Sequence, residues 1–167
     1  KERQSDLFIR RAAAVREGIR FWQIAHKLHL PKVAGLIAVA AQNGIMPRAL
    51  VGRGKTVAVL LPTERAFDNL DVDHFNRLYT FEGSQKLSRL LRAHIIMLDD
   101  IDALEEDPIL EWAKKGRSRV VAGRGEWSYS MSYKDEVFIE GFRLMPGLPV
   151  SVGNHKVYLI EGILNYY

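Results

Sequence analysis

The chain has no cysteine, so it can form neither disulfides nor a thiolate metal site. It has no Asn-x-Ser/Thr sequon either, since Asn43, Asn69, Asn76, Asn154 and Asn165 all lack a Ser or Thr two residues on. Together these absences lean towards an intracellular or organellar setting. No apolar run approaches the roughly 20 residues of a membrane span; the longest, residues 33–41, is too short. A basic stripe through the whole chain is also lacking. The net charge is +4, yet residues 1–20 carry six basic against three acidic side chains, so the remainder is near neutral. That distribution argues against a nucleic-acid-binding domain, whose positive face should run through the folded part. Residues 99–111 are the converse, with seven carboxylates and no base.

What is present suits one domain. A chain of 167 residues buries roughly 70% of the surface its unfolded form exposes, enough for a full core without staples. Because it begins at Lys1 and not Met, an upstream segment such as a targeting peptide is expected to precede it. The chain is organised around residues 56–67. Thr56 opens an apolar run, Val57-Ala58-Val59-Leu60-Leu61, that reads as a buried strand. Pro62 stops it. Thr63 is expected to N-cap a short helix, with Glu64 in its first turn and Phe67 returning to the core.

Around that stretch, residues 5–17 read as a helix with Ser5 as a possible cap, and Gly18 as a break. A second helix follows from Phe21 to Leu30, and a third from Pro31, with Val33, Leu36, Ile37, Ala40 and Ala41 on one face. Asn43-Gly44 closes it as a left-handed C-cap, and residues 46–54 read as a loop. Asp71 and Ser84 are expected caps of two further helices, the second carrying Leu87, Leu90, Leu91 and His94 on one face. Residues 95–98 read as a short buried strand, and Asp107-Pro108 as a helix start with Trp112 inward. From Arg117 onward the pattern turns to strands: Val120-Val121, a hairpin turn at Gly123-Arg124-Gly125, then Trp127, Tyr129, Met131 and Tyr133 at period two. One strand is expected over residues 137–144, a turn at Pro146-Gly147, and a last strand over residues 156–160. Helices first and strands afterwards argue α+β over a βαβ repeat.

The chemical motifs are weak. Gly52-Arg53-Gly54-Lys55-Thr56 resembles the end of a phosphate-binding loop, but Ala49 stands where the first glycine belongs, and the segment enters a strand instead of a helix. His26 and His29 share a helix face without a third ligand at readable spacing. Asp99, Asp100, Asp102, Glu105, Glu106 and Asp107 could hold a hard cation, yet lack the glycine turn of a calcium loop; a solvated or partner-facing patch is the simpler reading. No serine sits in a nucleophile elbow. Trp127, Tyr129, Tyr133 and Phe138 could stack bases beside Arg117, Arg119 and Arg124, although one sheet face of aromatics is by default core or docking surface. His94 reads as a buried structural histidine whose ring N–H bonds a carbonyl or hydroxyl.

Residues 21–164 resemble a fasciclin domain. That family's strand-to-helix motif, T-V-F-A-P-T-x-x-A-F, is matched by residues 56–67 with two extra residues before Pro62. Its L-L-x-x-H-V-V helix end is matched by Leu90-Leu91-Arg92-Ala93-His94-Ile95-Ile96, and its closing G-V-I-H-V-I-D-x-V-L by residues 155–164. The ordered set is specific where no single motif is. Ala93 replaces the family's frequent Tyr, Tyr158 its His and Glu161 its Asp, and these departures weaken the adhesion role more than the fold. The resemblance implies an α+β fold, N-terminal helices on a twisted, mostly antiparallel β wedge, with residues 1–20 added as a basic helical arm and residues 21–167 as the domain. It assigns Thr56, Pro62, Thr63, Phe67, His94 and Tyr158 to the structural motif.

The expected function is protein–protein contact without catalysis, cofactor, metal or small-molecule substrate. The setting expected is an accessory subunit of a large mitochondrial inner-membrane complex of respiratory type, with protein partners, no membrane span of its own and no nucleic acid. Arg3, Arg10, Arg11 and Arg16 of the arm and Asp99, Asp100, Asp102, Glu105 and Glu106 are the expected contact residues, with opposite charge for different neighbours. A secreted or cell-surface adhesion domain and an RNA-contacting subunit of a ribonucleoprotein are the alternatives.

Overall fold

The computed structural model describes residues 3–51 and 56–164. Among them, six helices, α1 (Gln4–Lys27), α2 (Pro31–Gln42), α3 (Arg48–Val51), α4 (Val72–Arg77), α5 (Ser84–Ala93) and α6 (Pro108–Lys114), accompany eight strands. The strands are β1 (Val57–Pro62), β2 (Ile95–Met97), β3 (Arg119–Ala122), β4 (Trp127–Lys134), β5 (Glu136–Ile139), β6 (Phe142–Arg143), β7 (Val150–Val152) and β8 (His155–Ile160). They form one sheet in the order β6-β5-β4-β3-β2-β1-β8-β7. Every pairing is antiparallel except β1 with β8. The fold is therefore α+β with a mostly antiparallel sheet, as the sequence implied.

The sheet curls until its ends meet. Leu144, just past β6, bridges Ile160 of β8, and Met145 N–H donates to Leu159 O at 2.8 Å. Inside the curl lies one core, with Leu60, Ile96, Val120, Met131, Ile139, Tyr158 and Ile160, closed at one end by Ile109 and Trp112 of α6. The other core lies between the outer face of β1 and the helices, with Phe21, Ala25, Leu36, Ile37, Val59, Leu61, Leu87 and Leu90. Strand β1 is buried along its whole length because it serves both. Val57, Val59 and Leu61 face the helices; Ala58 and Leu60 face the curl.

Several expectations need correction. Gly18 does not break a helix: α1 runs unbroken from Gln4 to Lys27. The glycine is there for packing, since a Cβ at Gly18 would meet the Ala41 Cβ at 2.7 Å, so α1 crosses α2 too closely for a side chain. Gly18→Leu should force the helices apart and cost about 1–3 kcal/mol, read as a lower urea midpoint; an unchanged midpoint would contradict this packing. Helix α1 ends earlier than expected because His29 takes the left-handed position (φ 60°) and Leu30 N–H closes back on Ala25 O at 2.8 Å. Residues 46–54 are not all loop, since Arg48–Val51 is helical. The strand expected over residues 137–144 is a hairpin, β5 and β6, turned at Glu140-Gly141 with both residues at positive φ. Phe138 consequently faces away from Tyr129 and Tyr133, because it pairs with Ser132 one register position off.

Two caps differ as well. Thr63 flanks the 3₁₀ turn Glu64–Phe67 but its side chain caps nothing; its carbonyl accepts from Ala66 N–H at 3.0 Å. Glu64 instead accepts from Lys32 N–H at 3.0 Å, capping α2 from across the core. Gly83, not Ser84, holds the N-cap position of α5. Asp71 and Asp107 cap as expected, accepting from His74 and Asp73, and from Leu110, respectively.

Candidate interaction surfaces and the buried polar network

The motif residues turn out to be the internal fastenings of the fold. Pro62 ends β1 beside Ile160, where Thr63 N–H donates to Ile160 O at 3.0 Å. Thr56 precedes β1 and accepts from Leu98 N–H at 3.3 Å. Phe67 is buried and meets Phe75 edge to face, centroids 5.3 Å apart.

His94 caps α5 and is buried. Leu164 N–H donates to its Nε2 at 2.9 Å, so that nitrogen carries no proton. Nδ1 must then be the donor, to Leu90 O at 2.8 Å. The ring thus joins α5 to the last described turn of the chain, as a neutral tautomer set by its partners. Burial pushes its pKa down to about 4. His155 repeats the device at the start of β8: Val57 N–H donates to its Nδ1 at 3.2 Å, and burial again lowers its pKa. The sequence reading missed His155; a histidine inside the final apolar run was the available signal.

Tyr158 stands where the resembled family has His. Its hydroxyl donates to Asp107 Oδ1 at 2.7 Å and accepts from Ile109 N–H at 3.4 Å, tying β8 to the start of α6. Burial and the adjacent carboxylate raise its pKa. Tyr158→Phe should cost about 1–2 kcal/mol, visible as a lower melting temperature; no loss would mean the bond carries nothing.

The expected contact residues lie on two separate surfaces. Arg3, at the N-cap of α1, and Arg16 on it are exposed; Arg10 and Arg11 lie on the same helix, with side chains outside the described residues. From Val15 onward α1 also exposes Val15, Ile19 and Trp22, at helical spacing and 39–50% accessible. Asp99, Asp100, Glu105 and Glu106 are exposed and Asp102 is half-buried. Asp99 accepts from Asp102 N–H at 2.8 Å, which shapes the turn and lowers the Asp99 pKa. On that turn Ile101 is 77% and Leu104 86% exposed. Among the described residues no ion pair joins the two surfaces. The apolar members of both were missed; their placement among charged residues was the available signal, but not their exposure.

The weak chemical motifs do not assemble. Gly52, Arg53, Gly54 and Lys55 lie outside the described residues. His26 stacks on Trp22, centroids 5.0 Å apart, and His29 serves the helix end. Among the described residues no group of three His, Asp or Glu is placed to hold a metal, and no helix is long and apolar enough to cross a membrane. The base-stacking arrangement is dispersed: Tyr129 is core, its hydroxyl donating to Ala93 O at 2.8 Å. Arg117 lies over Trp112, 4.1 Å from the ring centre, and Arg119 donates to Ser128 Oγ at 3.1 Å.

This architecture is that of a FAS1 domain. A solved FAS1 domain pair from the insect cell adhesion molecule fasciclin I matches it with a TM-score of 0.60 over 81% of this chain, at 11% identity. The chain spans about half the length of that structure, 48%. By sequence, no protein-family model and no curated protein matches. The likeness is one of fold.

Proposed function

We propose that this protein is a non-catalytic interaction domain, an accessory subunit of a large organellar complex, of the respiratory type in the mitochondrial inner membrane. The observation that carries the interaction role is the pair of exposed surfaces. Each sets large apolar side chains where charge of one sign is in excess, Val15, Ile19 and Trp22 on α1, whose first part is net basic, and Ile101 and Leu104 in the acidic turn. Apolar side chains with a charged rim suit specific protein contacts. The buried His94, His155 and Tyr158, by contrast, are consumed in fastening elements of the fold to one another. The placement in an organellar complex rests on the sequon-free, cysteine-free sequence and its basic first segment.

Native gels and size-exclusion of source extract test this reading, followed by cross-linking mass spectrometry. Migration in a large particle, with cross-links from residues 1–20 and 99–106 to different subunits, is the expected result. A protein running alone near 19 kDa would remove the subunit role. Because the FAS1 pair comes from a cell adhesion molecule, display at the cell surface is the rival outcome, read directly by surface labelling.

A further inference from the structure

A cleft of about 440 Å³ opens between the α2–α3 connection, α5 and the turn Gly123–Gly125. Arg48, Arg92 and Arg124 line it with Ser88, and among the described residues Glu126 is the one carboxylate in its lining. A shallower cleft continues from it past Arg89 and Ser84. Arg92 meets Glu126 at 3.6 Å, with both side chains about 40% exposed, a long and weakly worth ion pair. The side chains of Arg48, Arg89 and Arg124 make no ion pair or hydrogen bond among the described residues. Other arginines of the sheet are tied down: Arg143 grips Glu136 and Glu161, and Arg117 and Arg119 donate to neighbours. Positive charge is thus gathered and left uncompensated in one concave place.

Two further features fall on the same wall. Among the described residues the buried side-chain polar atoms without partners are Arg92 Nε and Ser84 Oγ, both on residues lining these clefts, and such groups call for an explanation. Arg124 holds φ 62° between Gly123 at 57° and Gly125 at 93°. A non-glycine residue in that left-handed region is strained, and strain of this kind clusters at binding sites.

We propose that this cleft is a phosphoryl-anion site, with Arg48, Arg92 and Arg124 as cationic ligands and Ser88 as a hydroxyl donor. The guanidinium fork matches phosphate oxygens in pairs, which a lysine cannot do. The charge forms a local cluster and not a stripe, so the ligand is a compact phosphoryl group and not a nucleic-acid backbone. The site is independent of the subunit role.

Isothermal titration of the full chain with inorganic pyrophosphate at physiological ionic strength tests this. Saturable one-to-one binding is expected, weakened at least about tenfold in the Arg48→Gln/Arg124→Gln double variant and unchanged in Arg16→Gln on α1. Neither Arg48 nor Arg124 supports the fold, so both variants should melt as the parent does. Should the double variant fail to fold, amide NMR of the parent serves: pyrophosphate should shift Ser88 and Gly123–Gly125. No saturable binding, equal affinity in a folded double variant, or shifts confined elsewhere would overturn the site. A phosphoserine peptide run alongside separates the sources: tighter pyrophosphate marks a free anion, a tighter peptide a phosphorylated partner.

Discussion

Between about pH 7 and about pH 4, His94 alone is expected to remove about 3 kcal/mol of folding stability. Unfolded, its imidazole titrates near the ordinary histidine value of 6.5; folded, it is pushed down to about 4. The unfolded chain therefore binds the proton first, so stability is fully present above about pH 6.5 and is lost as pH falls through that window. The geometry gives the same sign. A proton on Nε2 would face Leu164 N–H, turning an accepted hydrogen bond of 2.9 Å into an opposition of two donors. His155 acts in the same direction, since a proton on Nδ1 would face Val57 N–H. Asp71, Asp99, Glu140 and Glu161, with lowered values, begin to lose their contribution at the acid end of this window, as pH falls through the ordinary carboxylate values, a loss that parent and His94→Gln share. Urea midpoints of the parent and of His94→Gln at both pH values measure the effect. The variant should lose much less on acidification than the parent; equal losses would show that His94 is not the group.

Leu60→Ala is the second large effect, expected to cost about 3–4 kcal/mol. Leu60 is fully buried in the curled-sheet core. Its N–H donates to His94 O at 2.8 Å and its strand is paired on both sides, to β2 and β8. A backbone held so firmly cannot relax into the space left behind, which places the cost in the upper part of the usual range. Val150→Ala, on edge strand β7 with a side chain over a third exposed, should cost under about 0.5 kcal/mol. Comparable losses at the two positions would refute the central placement of β1.

Local chemistry made some elements readable and not others. Residues 57–62 announced a buried strand because both faces are apolar, and Asp71 and Asp107 announced helix starts because a carboxylate satisfies nearby N–H groups whatever surrounds it. Gly18 misled because a mid-helix glycine costs the same whether it breaks a helix or seats one against Ala41. Thr63 and Ser84 misled because a hydroxyl beside a helix start need not bond its N–H groups: Thr63 accepts through its carbonyl instead, and Gly83 takes the N-cap position of α5. The Glu140-Gly141 turn was hidden by apolar residues on both sides, with only Gly141 to mark it. Of the contact surfaces, the charges were visible in the chain; the exposure of Trp22, Ile101 and Leu104 was not.

By itself the sequence determined an α+β domain, its order of helices and strands, the buried character of β1 and the absence of any thiolate chemistry. These follow from side-chain periodicity, proline and capping geometry, and composition, all of which act over a few residues. Only the tertiary structure decided that β1 and β8 run parallel, that β6 returns to β8, and that Leu164 and Val57 hold two histidines neutral. It also decided that Arg48, Arg92 and Arg124 share one cleft. Each of these joins residues tens of positions apart, and the free energy of such contacts depends on which surfaces the packed sheet brings together, a property no local stretch of chain contains.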